Sequence, residues 1–149
     1  MSYRVPLDLG ALRAESPFLA DLGMTFLSLD GSGAVFELEI AERHSNAEGR
    51  MHGGVIASLL DAACGLPVRF IAPETDLVRA VTLTLSVSYI AAPKGPRVRA
   101  TGRITGGGHR LVFSSGEVRD TDGSLIATAT GSFKRLAPAA PGPTSKEPT

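Results

Sequence analysis

One carboxylate stands out by its surroundings. Asp61 falls within Gly54 to Leu66, the only long stretch of the chain with a helical apolar period. On a helix, Val55, Ile56, Leu59, Leu60 and Ala63 make one apolar stripe suited to packing on a sheet. The opposite stripe is Gly54, Ala57, Ser58, Asp61 and Gly65. A face meant for water carries Lys, Glu or Arg, whereas small residues around a single acid invite a close approach. A carboxylate is a proton acceptor by type, so Asp61 is placed to meet whatever approaches. The plain alternative is an Asp facing solvent or capping a neighbouring loop.

The second chemical feature is the run His44-Ser45-Asn46-Ala47-Glu48-Gly49-Arg50-Met51-His52-Gly53-Gly54. It is too polar and glycine-rich for a strand. Glycines at a helix start leave the first backbone N–H groups open to a close neighbour. Those groups carry partial positive charge and suit an oxyanion or a polarised carbonyl. An ordinary loop that happens to carry glycines would look the same. Gly53 and Asp61 are eight residues apart, or about 12 Å along a helix. One carbonyl cannot lie about 3 Å from both groups of a single chain. If both act on it, they come from different protomers, through antiparallel pairing of this helix with its twin.

The elements that would hold these groups are mostly strands. Met24 to Leu29 and Ala34 to Ile40 read as a hairpin around Asp30-Gly31-Ser32-Gly33. From Leu77 onward the period is two: Val81, Leu83, Leu85, Val87 and Tyr89 on one face, Thr82, Thr84, Ser86 and Ser88 on the other. Three more strands are expected near Arg97 to Thr105, Leu111 to Arg119 and Leu125 to Lys134, with turns at Gly106-Gly107-Gly108 and Asp120-Thr121-Asp122-Gly123. Leu7 to Leu22 looks weakly helical, broken by Pro17, and Pro67 stands near the end of the long helix. The plan is α+β: an antiparallel sheet of five to six strands with one helix against it. Residues 1–137 form the single expected domain. The segment 138–149, rich in proline, is expected to be a disordered tail.

Composition narrows the function class. Fifteen basic residues balance fifteen acidic ones and tryptophan is absent, which argues against a nucleic-acid surface. No apolar run approaches bilayer length and the start lacks a secretory apolar stretch. A cytoplasmic protein that engages neither nucleic acid nor membrane is expected. Cys64, the one cysteine, excludes an internal disulfide and reads as a packed thiol. His44 and His109 are not spaced as a metal pair, so no metal is expected.

Asn46-x-x-Gly49-x-x-His52-Gly53-Gly54, with Asp61 seven residues on, resembles the signature of hotdog-fold acyl-CoA thioesterases of the PaaI (phenylacetate-degradation) type. Pro17-Phe18, Leu22-Gly23-Met24, Tyr89 with Pro93, Gly108-His109-Arg110-Leu111 and Asp122 to Ala127 resemble further landmarks of that family. The resemblance implies a long helix wrapped by a curved antiparallel sheet, homodimers and a dimer of dimers. It implies an acyl-CoA substrate with no separate cofactor, CoA being part of the substrate. Carried over by position, Asp61 matches the catalytic base or nucleophile and Gly53 the residue whose N–H binds the thioester oxygen. Asn46 matches the polar residue beside it, and Thr82 a hydroxyl near the Asp. His52 belongs to the motif, in loop orientation or in chemistry. Gly54, Tyr89, Gly108, His109, Arg110, Leu111 and Arg135 match the CoA groove, where turn N–H groups and Arg110 would meet phosphate. Arg97, Arg99 and Arg103 share one strand face and read as solvated surface. Two other functions fit the fold: a non-catalytic acyl-CoA or lipid-binding module, and a hydratase or dehydratase. The latter pairs a His with an acid at spacings not found here. The acyl group is not legible, because pocket depth would depend on side chains from two protomers.

Overall fold

The computed structural model describes residues 16–70 and 78–137. The expected tail at 138–149, the start of the opening segment before residue 16, and Leu77 lie outside the described residues. Helix α1 (Pro17–Leu22) leads into strand β1 (Met24–Asp30), then β2 (Gly33–Glu39) and a short 3-10 turn (Glu42–His44). The long helix α2 (Gly53–Arg69) follows, and then β3 (Ala80–Tyr89), β4 (Arg97–Gly107), β5 (Leu111–Asp120) and β6 (Leu125–Arg135). Six antiparallel strands form one sheet in the order β1-β2-β4-β5-β6-β3. The expected α+β plan holds.

Pro17 begins helix α1, at a first-turn position where its missing N–H costs nothing. Helix α2 is longer than the expected Gly54 to Leu66 and carries Pro67 inside its last turn. Its buried stripe is the expected one: Val55, Ile56, Leu59, Leu60 and Ala63 all face the core, with Cys64, Leu66 and Val68 beside them. Each large side chain so buried contributes about 1.5 to 3 kcal/mol.

Two glycines set how close the helix lies. Gly102 on β4 and Gly116 on β5 are register partners beneath α2. A Cβ on Gly102 would fall 2.0 Å from the Ala63 carbonyl oxygen, and one on Gly116 would fall 2.8 Å from Cys64 Sγ. Pro67 has no N–H to offer the Ala63 carbonyl four residues earlier, and that carbonyl is the one lying over Gly102. The next carbonyl, of Cys64, accepts from Ser114 Oγ at 2.8 Å. Backbone therefore seats on backbone, and the helix has no room to slide.

The strict two-residue period expected along β3 is corrected by a bulge. The register shifts between Thr82 and Thr84, which oppose the neighbours Phe133 and Ser132 on β6. Leu83 is the extra residue. Thr82 consequently turns to the helix side, as Leu85, Val87 and Tyr89 do, while Thr84 faces away and hydrogen-bonds Ser132. Arg97 and Arg99 reach Glu37 across the outer face and stay exposed, as a solvated surface should. Among the described residues, no helix is long and apolar enough to cross a membrane.

Candidate active site

The loop before α2 is built by its own polar groups. The Asn46 side-chain oxygen accepts from the backbone N–H groups of Glu48 (2.9 Å) and Arg50 (3.0 Å). Its backbone N–H donates to the Arg50 carbonyl at 2.7 Å, and a bridge between Ser45 and Met51 closes the base. His44 anchors this loop from below and is fully buried. Its Nδ1 accepts from the Ala41 N–H (2.9 Å), so Nε2 carries the proton and donates to the Leu22 carbonyl at 2.7 Å. The His44 carbonyl in turn accepts from the His52 N–H at 2.7 Å. One histidine thus ties the end of α1 to the entrance of α2. The sequence held little sign of this, since its partners are main-chain carbonyls and amides.

At the helix start, each early amide has an assignment except one. His52 is the N-cap, its Nδ1 accepting from the Gly54 N–H at 2.9 Å. The N–H groups of Val55 and Ile56 turn back to the His52 carbonyl. Gly53 is the first helical residue, so its N–H has no intrahelical acceptor. Tyr89, extending from β3, donates its hydroxyl to the Gly53 carbonyl at 2.9 Å. The Gly53–Gly54 peptide is therefore gripped at both ends, its oxygen by Tyr89 and its N–H by His52. A Cβ on Gly53 would stand 3.3 Å from the Tyr89 ring, which is why the ring sits so close. Of the candidate roles for His52, loop orientation is what its contacts describe.

Asp61 is half-buried two turns further along the same helix, and Thr82 Oγ1 donates to its Oδ1 at 2.8 Å. The β3 bulge brings that hydroxyl to the helix. Both residues line a cavity of about 600 Å³ with Leu19, Met24, Phe26, Phe36, Leu66 and Phe133. Cys64, three residues after Asp61, faces the opposite way into the core. Burial, with the Asp61 charge adding to it, pushes its thiol up to about 12. That thiol is no nucleophile at neutral pH.

The residues expected along the CoA groove do not converge within one chain. Tyr89 and Gly54 stand at the start of α2. The β4–β5 turn stands at its other end: Gly108 N–H donates to the Leu111 carbonyl at 2.7 Å, leaving His109 and Arg110 exposed. Arg135 binds this turn to the helix end, with Nε to the Val68 carbonyl (2.6 Å) and Nη1 to the His109 carbonyl (3.1 Å). Gly53 and Val68 are about 22 Å apart along the axis at 1.5 Å per residue. Among the described residues, no group of three or more His, Cys, Asp or Glu side chains could hold a metal ion.

The sequence pattern of the thioesterase superfamily matches residues 48–127, a span that takes in the Gly53 loop, Asp61, Thr82 and Tyr89. The chain belongs to the thioesterase superfamily. It is 30% identical to the phenylacetic acid degradation protein PaaI of Thermus thermophilus (solved as a mutant), covering 81% of this chain and 100% of that one with a TM-score of 0.71. It is 32% identical over 98 residues to YigI of Escherichia coli K12, a medium/long-chain acyl-CoA thioesterase, covering 58% of this chain and 63% of YigI. It is 30% identical over 96 residues to VNG_1336C of Halobacterium salinarum, which carries the esterase name, covering 61% of this chain and 64% of that protein. The chain thus spans a little under two thirds of the last two relatives. The expected membership of the hotdog thioesterases of PaaI type is borne out.

Proposed function

We propose that this protein hydrolyses an acyl-CoA to free acid and CoA at a site shared by two protomers. Asp61 of one protomer and the Gly53 N–H of its partner would lie on either side of one thioester. The observation that carries this reading is an anchored carboxylate and an unengaged amide held on one rigid helix, too far apart to meet on the same carbonyl. The acyl-CoA activity of YigI supports the substrate. The sheet edge supports the pairing: β3 is an outer strand whose Val81 and Leu83 are 42% and 51% exposed. An apolar edge strand left open is a template for another strand, and a second β3 would cover it. A two-fold axis there would run the two helices antiparallel. It would also bring the β4–β5 turn of one chain toward the Tyr89 end of the other, reuniting the two halves of the CoA groove. The reading extends to a dimer of such dimers in the cytoplasm.

The chemistry needs little else, because a thioester is already activated. With Asp61 as base, it takes a proton from water as the water oxygen bonds to the carbonyl carbon. The negative charge that forms on the carbonyl oxygen is met by the Gly53 N–H. Collapse breaks the C–S bond, and the departing thiolate takes the proton back from Asp61. With Asp61 as nucleophile, its oxygen would instead bond to the carbonyl carbon as the C–S bond breaks and CoA leaves as thiolate; water would then cleave the acyl-Asp61 anhydride, giving the free acid, Asp61 and the proton that the thiolate takes up. Thr82 keeps the carboxylate turned toward the cavity in either route.

Two inactive variants test the shared site. Asp61→Asn removes the base. Gly53→Pro deletes the N–H at a position where proline is well tolerated, and Gly53→Ala controls for bulk against Tyr89. Loss of one oxyanion donor costs about 100- to 1,000-fold in kcat. Co-expressed Asp61→Asn and Gly53→Pro chains should regain about one quarter of wild-type thiol release, from the one intact site of each mixed dimer. No recovery, with each variant folded and dimeric, overturns the shared site. Tight acyl-CoA binding by the wild type without thiol release would make the protein a binding module. Change of the acyl chain with CoA still attached would make it a hydratase or dehydratase.

A further inference from the structure

Between Ala41 and Gly54 every residue is exposed or half-buried but one, and that one is His44. The segment that delivers the Gly53 amide is closed at its neck. The His44 carbonyl accepts from the His52 N–H at 2.7 Å, and the Ser45–Met51 bridge lies just inside that contact. His52 leads directly into Gly53, and its Nδ1 accepts from the Gly54 N–H at 2.9 Å. With the N–H and the ring of His52 both engaged, the peptide that carries the Gly53 N–H has little freedom to turn. Tyr89 holds only the following peptide, by the Gly53 carbonyl. Where the Gly53 N–H points is therefore decided by where the His44 carbonyl sits.

The two nitrogens of the His44 ring carry unequal weight. Nδ1 accepts from the Ala41 N–H at 2.9 Å, inside the same turn. That turn already has backbone bonds of its own, from the His44 N–H to the Ala41 carbonyl and from the Ser45 N–H to the Glu42 carbonyl, each 2.9 Å. Nε2 instead crosses to another element, donating to the Leu22 carbonyl at 2.7 Å. Leu22 packs against the core and lies two residues before Met24, the buried first residue of β1. Arg43 Nη2 reaches the same carbonyl at 3.2 Å, but from an exposed side chain that water can replace. The buried imidazole is the tie that fixes the neck to the fold.

We infer that His44, through the bond from Nε2 to the Leu22 carbonyl, is the positioning residue for the Gly53 amide in the shared-site hydrolysis on which this inference rests. It touches no substrate. It holds the His44 carbonyl in place, the carbonyl holds the His52 N–H, and the next amide along the chain is the donor to the thioester oxygen. A reacting group misplaced by about 1 Å can cost about 100-fold in rate. The amide meets charge that develops only in the transition state, so the loss falls on kcat and leaves KM nearly unchanged.

The test adds a His44 change to the complementing pair of full-length chains, Asp61→Asn and Gly53→Pro. In their mixed dimer the working site takes its amide from the Asp61→Asn chain and its carboxylate from the Gly53→Pro chain. His44→Asn keeps an acceptor for the Ala41 N–H and is too short to reach Leu22. Placed in the Asp61→Asn chain, it should lower kcat of the mixed dimer about tenfold or more. Placed in the Gly53→Pro chain, whose own amide is already gone, it should change kcat little. His44→Gln, whose amide N–H extends as far as Nε2, should restore most of the loss. Lost stability from a buried substitution is the same in either chain, so it cannot produce this asymmetry. Equal losses from both placements, a loss confined to the Gly53→Pro chain, no loss from either, or a loss that His44→Gln does not restore overturns the positioning role. If the pair recovers no activity even with His44 intact, the shared site fails, and His44→Asn in the otherwise wild-type chain reads the positioning alone. A fall in kcat with KM steady, restored by His44→Gln, upholds it there; an unchanged kcat, or a fall that His44→Gln leaves in place, overturns it.

Discussion

Removing one oxygen atom from Tyr89 separates two roles that the same residue could serve. The resemblance sets Tyr89 against CoA, while the structure has its hydroxyl donating to the Gly53 carbonyl at 2.9 Å and its ring against the Gly53 Cα. Tyr89→Phe keeps the ring and its packing and deletes the donor. The Gly53–Gly54 peptide then stays gripped only by His52 at its N–H end. The residue is 55% exposed, so water replaces the lost donor and the loss belongs to the lower range for a neutral hydrogen bond. At about 0.5 to 1 kcal/mol, kcat falls about 2- to 5-fold. The decisive assay compares an acyl-CoA with the same acyl group on N-acetylcysteamine, a thioester without the nucleotide. If Tyr89 acts by holding the Gly53 peptide, kcat drops by the same factor on both and KM for the CoA ester barely moves. A rise in KM confined to the CoA ester, with kcat intact, refutes the positioning role and returns Tyr89 to the CoA groove.

Thr82→Val removes the donor to Asp61 Oδ1 without changing the size of the side chain. A hydrogen bond to a charged group contributes about 1.5 to 3 kcal/mol, so kcat should fall roughly 10- to 100-fold with little change in melting temperature. An unchanged kcat would mean that the carboxylate needs no anchoring. Asp120 is a structural carboxylate and is expected to govern acid stability. It accepts from the backbone N–H groups of Lys94 (2.7 Å), Gly95 (3.1 Å) and Thr121 (2.7 Å), and the Lys94 bond leads in holding its pKa below the usual carboxylate value. A depressed folded pKa stabilises the fold above the unfolded value, near 3.9, and the contribution disappears as pH falls through the folded value. Asp120→Asn should therefore lower the melting temperature at pH 7 by roughly 2 to 4 °C per kcal/mol lost. The gap from wild type should close only below about pH 4. A gap that persists unchanged in acid would show that the charge is not what matters.

Parts of this molecule were plain in the sequence because they repeat locally. Leu59 and Leu60 follow the helical period, and Val98 and Ala100 the strand period, so the elements and their buried faces were readable. Thr82 was different. Its place on the helix side depends on one extra residue measured against β6, and register against a partner strand leaves no local trace. Gly102 and Gly116 carried no message about which backbone would lie on them, because the contact is to a helix far away along the chain. His44 was passed over for a similar reason: main-chain acceptors such as the Leu22 carbonyl have no signature. The CoA-groove residues were each placed by resemblance, and only the fold shows that Tyr89 and Arg135 serve opposite ends of one helix.

That helix works as a ruler. The open amide of Gly53 marks its start, the anchored Asp61 its middle, and the turn tied down by Arg135 its end. A flexible segment could fold these groups onto one substrate within a single chain. Helix α2 cannot, since the Ala63 carbonyl rests on Gly102, Cys64 against Gly116, and Ser114 holds the Cys64 carbonyl at 2.8 Å. Bending it would break i to i−4 bonds, and tilting it would drive backbone into backbone. The spacing that prevents one chain from completing the site is fixed by the same contacts that make the fold stable. In the proposed pairing, a second copy running the other way would turn this separation into a match, with each Asp61 facing an amide that its own chain holds out of reach.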